Sequence, residues 1–254
     1  MSLRSSTDRP SATPARRRRR RQWVPPQHGA WAMLLVPYLG GLITAGFSWV
    51  QLPLLIAWTA GYMLSYFTLL AVKTHRLGKV REQVTVYGGV TLAAGLTVVI
   101  ARPHVLLLAP GFAVALAVNG YFASARHDRA LVNGLVSVFA AMLILPVVAV
   151  TAGAAPWSVS ETFLVTLLYF TGSLLFVRTT IRERGNRTML AVSVGFHVAA
   201  LVVATALSPL YAIAFAAFLV RAALLPRRPL TPKQIGLVEM ATSALLLGSV
   251  AFAA

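Results

Sequence analysis

Side chains able to do chemistry collect at a few places in this chain. The stretch Lys73-Thr74-His75-Arg76-Leu77-Gly78-Lys79-Val80-Arg81 packs four cations and an imidazole into nine positions. Arginine offers phosphate oxygens a planar fork and lysine offers a point charge, so the composition suits a phosphate clamp. A second stretch, Arg178-Thr179-Thr180-Ile181-Arg182-Glu183-Arg184-Gly185-Asn186-Arg187, has the same character. There Arg178 and Arg182 stand four apart and share a helical face. A third, Gln27-His28-Gly29-Ala30-Trp31, follows Pro25-Pro26. The prolines stiffen the approach, Gly29 permits close backbone contact, and His28 can donate to an anion. The phosphate-binding set read from these stretches is His28, Lys73, His75, Arg76, Lys79, Arg178 and Arg182.

Each stretch also has a plainer reading. Basic loops orient membrane spans, and an interfacial tryptophan such as Trp31 anchors one. Asn119, His197 and Glu239 lie inside long apolar runs, where ionisable groups are costly and point to function by default. The plainer expectation is that His197 bonds a neighbouring backbone group and that Glu239 pairs with Arg221.

Several chemistries are excluded or disfavoured. With no cysteine there is no disulfide, thiolate zinc site, iron–sulfur cluster or cysteine nucleophile. The segment Arg126-His127-Asp128-Arg129 holds one carboxylate among bases, which reads as a salt-bridge partner rather than a catalytic acid or metal ligand. Paired carboxylates are missing, and no metal or cofactor is expected.

The elements that carry these residues follow from composition. Of 254 residues 57% are hydrophobic and 11% charged, and mean hydropathy is +0.74; one soluble core cannot hide that much apolar surface. Apolar runs suited to a ~30 Å hydrocarbon layer recur at 30–48, 52–72, 83–101, 104–122, 133–152, 157–177, 188–207, 209–225 and 234–253. They are continuously apolar rather than alternating, so they predict helices and not barrel strands. The fold expected is all-α: a polytopic transmembrane bundle of about nine helices. Residues 1–27, with the run Arg16 to Arg21, read as a disordered basic cytoplasmic arm ahead of a single helical domain at 28–254.

The net charge of +17 in a soluble chain would suggest nucleic acid. Here the bases fall between apolar runs, so membrane lipids are the expected partners and no specific nucleic acid is. Placing the N-terminus inside puts 22 of the 23 Lys and Arg on the inner side, with Arg102 alone outside. The expected location is the bacterial cytoplasmic (inner) membrane, multi-pass, C-terminus outside. That count depends on a break at Ser208-Pro209.

Three segments together resemble the bacterial YwiC-like family: Pro25-Pro26-Gln27-His28-Gly29-Ala30-Trp31-Ala32-Met33-Leu34-Leu35, the basic loop after the second span, and Pro232-Lys233-Gln234-Ile235-Gly236-Leu237-Val238-Glu239. That resemblance brings no activity with it. The layout is also similar to the UbiA superfamily of intramembrane prenyltransferases, whose loops after spans two and six carry aspartate-rich magnesium motifs. The matching loops here, 73–81 and 178–187, contain no aspartate. The resemblance therefore implies an isoprenoid or lipid phosphate held by cations directly, without the metal that helps a diphosphate leave. It leaves open whether the protein is an enzyme, a binding protein, a transporter or permease, or a membrane assembly factor, and it names no protein partner.

Overall fold

The computed structural model describes residues 23–25 and 28–254, the side chains of His28 and Gly29 excepted. The expected arm at 1–27, apart from residues 23–25, and the His28 side chain lie outside the described residues. Ten α-helices follow: α1 (His28–Ala45), α2 (Gln51–Thr74), α3 (Arg81–Ala101), α4 (Ala109–Ser124), α5 (Leu131–Met142), α6 (Ile144–Ala152), α7 (Ser160–Val177), α8 (Arg187–Leu207), α9 (Tyr211–Leu224) and α10 (Pro232–Ala253). No strand occurs among the described residues.

Helices α5 and α6 make one bent span. Pro146 has no N–H to give the Met142 carbonyl, and its ring presses on that turn, so the helix breaks at Leu143. Counted this way the described chain has nine helical passes, in the places the apolar runs predict. Among the described residues seven stretches are long and apolar enough to cross a membrane. The other two are α1 and α9; at 14 residues α9 rises about 21 Å and continues into a 3₁₀ turn, Leu225–Arg227.

Local chemistry sets the helix ends. The Asn186 side chain accepts from the Met189 amide at the start of α8. Thr231 and Gln234 form a reciprocal capping box at α10, with Pro232 in the first turn. At Ser208 the backbone turns extended, and α9 packs back along α8 as a hairpin. The break at Ser208-Pro209 therefore separates two helices.

The core lies among α5, α6, α7, α9 and α10, where Met142, Leu145, Tyr169, Phe215, Phe218 and Leu246 are buried together. Tyr38, Leu54, Ile144 and Val148 join α1 and α2 to α6. Gly41 makes that approach possible, because a Cβ there would meet Val148 Cβ at 2.9 Å. Residues 23–25 are tied to the bundle: the Tyr87 hydroxyl donates to the Trp23 carbonyl at 2.7 Å, and the two rings meet edge to face.

Side chains from four loops meet at one end. Lys73 pairs with Asp128. Arg178 and Arg182 both donate to the Arg129 carbonyl, at 3.3 and 3.4 Å, and Arg184 donates to the Leu230 carbonyl at 3.1 Å. Arg102 lies at the opposite end, its Nε donating to the Thr151 carbonyl. The bundle thus has a basic end and a nearly charge-free one, as the alternation of loops predicts.

Candidate functional site

At the basic end the two expected halves of the clamp meet through a third loop. Asp128 takes Lys73, and the neighbouring Arg129 carbonyl takes Arg178 and Arg182. Asp128 is thus the salt-bridge partner its setting suggested. Glu183 likewise neutralises Arg178, at 2.5 Å. Helix α7 runs into a π-turn, Arg178–Arg182, closed by the Glu183 amide donating to the Arg178 carbonyl. Arg182 remains exposed, as do His75, Arg76 and Lys79 on the loop between α2 and α3.

Beside this network is a cavity of about 510 Å³ lined by Thr179, Glu183, Asn186, Arg187, Leu190 and Arg227 among others. It sits at the N-terminus of α8, whose first amides and dipole favour an anion. Its lining joins these polar side chains to the apolar Leu190 and Pro226. Arg187 closes the second basic stretch and Arg227 is one of the inner-side bases, and neither belongs to the phosphate-binding set read from the sequence. The Asn186 cap and Gly185, at φ 85°, were the local signs that a helix starts there.

Deeper in, Glu239 pairs with Arg221 as expected: Arg221 Nη1 is 2.5 Å from its carboxylate and 2.9 Å from Thr242 Oγ1. Ser173 also donates to Glu239, and Tyr169 joins Thr242 and Ser243 at 3.0 and 2.9 Å. Arg221 had counted among the inner loop bases. The structure instead buries it within α9, its guanidinium carbon 4.7 Å from the Phe176 ring centroid and 5.6 and 5.7 Å from those of Phe218 and Tyr169. A guanidinium is weakly hydrated and tolerates such a ring-lined setting. His197 is buried and bonds the Ser193 carbonyl at 2.7 Å through Nδ1, as the plainer reading held. Asn119 accepts from Ser137 at 3.3 Å on the α4–α5 seam. No group of three His, Asp or Glu side chains gathers among the described residues.

The model of the family described as YwiC-like protein matches residues 24–150. A Bacillus subtilis (strain 168) protein named "Uncharacterized protein YwiC" is 30% identical over 181 residues, which is 68% of this chain and 73% of that one. A Haemophilus influenzae Rd protein, named "Uncharacterized protein", is 30% identical over 228 residues, covering 86% and 92%. The chain belongs to the YwiC-like family. The family match includes His28, Lys73, His75, Arg76, Lys79 and Asn119, whereas Arg178, Arg182, His197, Arg221 and Glu239 lie beyond residue 150. No solved structure matches the chain.

Proposed function

We propose that this membrane protein binds an isoprenoid or lipid phosphate at its basic end. That end faces the cytoplasm of a bacterial inner membrane, with the N-terminus inside and the C-terminus outside. The observation that carries the reading is the cavity at the start of α8, lined by Arg187, Arg227 and Asn186, by Glu183, and by the apolar Leu190 and Pro226. A phosphate head needs the first group and a hydrocarbon tail the last. Around the rim Arg178 and Arg182 converge on the 125–130 loop, so the local field favours an anion. The side assigned to this end follows from its bases, since cytoplasmic loops hold excess Lys and Arg. Direct contact with cations holds a phosphate without activating it, so the activity proposed is binding. Membrane lipids cover the apolar flanks.

Native mass spectrometry of gently extracted protein tests this, offering a prenyl monophosphate or the matching prenyl alcohol. Retention of the phosphate alone is expected, and R187A/R227A should weaken it roughly tenfold, about 1.4 kcal/mol. Equal retention of the alcohol, or an unchanged double variant, would sink the reading. A permease is the second reading, favoured by the broken α5–α6 span in a bundle that also buries a charged pair; phosphate uptake into proteoliposomes separates the two.

A further inference from the structure

The Arg221–Glu239 pair satisfies only one nitrogen of the guanidinium. Nη1 serves Glu239 and Thr242, while Nε and Nη2 are buried without a partner. Those two nitrogens form the side edge of the guanidinium, the edge that grips two oxygens of one oxyanion. The side chain is 3% exposed, and a buried charged donor left unmatched is costly. On α8, His197 Nε2 and Ser193 Oγ are also buried and unpartnered. The Ser193 carbonyl can only accept, so Nδ1 of a neutral His197 carries the hydrogen and Nε2 presents a lone pair.

His197 and Arg221 both pack on one stretch of α7. His197 Nε2 lies against Gly172, where a Cβ would come within 2.9 Å of it. Next in sequence, Ser173 holds Glu239, and one turn on Phe176 underlies Arg221. Helices α8 and α9, which carry His197 and Arg221, pack along each other. The 510 Å³ cavity lies close along the chain, since its lining residues Thr179, Leu190 and Pro226 stand three to five positions from Phe176, Ser193 and Arg221, on α8 and on the turns that end α7 and α9.

We propose that the Nε–Nη2 edge of Arg221, His197 Nε2 and Ser193 Oγ form an internal site for a hydrogen phosphate group, reached from the basic-end cavity. Two donors on Arg221 meet two phosphate oxygens, and the P–OH donates to His197 Nε2. A guest bearing its own proton brings less negative charge than a fully ionised one, which matters in a ring-lined interior where Glu239 already balances Arg221. The guest is either the free ion or the head of a phosphorylated lipid. The site stands independently of the lipid reading above.

Titration calorimetry on full-length protein in lipid nanodiscs, with sodium phosphate or sodium sulfate near pH 7, tests the site. Sulfate has the same shape but no O–H, so at least roughly tenfold preference for phosphate is expected. R221K removes the side edge and should abolish binding of both ions. H197F leaves the ion pair intact and should erase the preference, and it carries the test should R221K fail to fold. No phosphate binding by the unaltered protein, or a preference that survives H197F, overturns the proposal. R187A/R227A should still bind the free ion, which separates failure of this site from failure of the lipid reading. Prenyl monophosphate that displaces bound phosphate makes the guest a lipid head; no displacement makes it the free ion.

Discussion

Helix α3 and the bent span α5–α6 are both apolar, yet they play opposite parts. Only 6% of the apolar window of α3 is buried within the protein, against 67% of that of α5–α6. Leu92, Leu96 and Ile100 of α3 face outward, whereas Met142, Leu145 and Val148 are sealed by neighbouring helices. Hydropathy therefore reports that a segment leaves water but not whether lipid or protein receives it. The buried charged pair rests on α7, 56% of whose apolar window is buried.

Perturbing each region sharpens that contrast. The largest effect is expected at Glu239. Glu239→Ala strands the Arg221 cation in the interior and should cost about 3–5 kcal/mol, read as equilibrium unfolding in mixed micelles; R221M/E239L should recover most of it. A loss below about 1 kcal/mol would mean that water reaches the pair. Next come two glycines. Gly41→Ala drives a Cβ against stiff Val148 and should cost about 1–3 kcal/mol. Gly95→Ala on α3 meets nothing within 4 Å and should leave stability unchanged or raise it by up to ~1 kcal/mol. Equal losses at the two would erase the distinction between the regions. The smallest effect is expected at the rim: the Lys73–Asp128 pair is 43% and 33% exposed, so Lys73→Ala should change unfolding by about 0–1 kcal/mol.

Much of this architecture was legible in the residues. Continuous apolar runs gave the passes, and the placement of bases anticipated one basic end with Arg102 apart. Glu239 with Arg221 could be read because both lie in apolar runs near the same end. Asp128 could be read as a salt-bridge partner, but not as the partner of Lys73, 55 residues away, because charge placement says which end a loop occupies and not which loops touch. The break at Leu143 had a visible cause in Pro146, yet proline inside an apolar run is common in membranes and does not by itself signal a bend. The cavity was invisible because its walls come from the start of α8 and from turns after α7 and α9, whose meeting is a tertiary property. The bare edge of Arg221 was hidden for the same reason.

The π-turn at Arg178–Arg182 has a consequence for register. Such a turn holds one residue more than the helix around it. Five residues wound this way turn and rise about as far as four in an α-helix, so the extra peptide is absorbed locally and the chain beyond keeps its direction. The widened turn leaves Arg178 and Arg182 both within reach of the Arg129 carbonyl. Losing one peptide there would tighten the turn and forfeit that shared contact without re-aiming the last three helices.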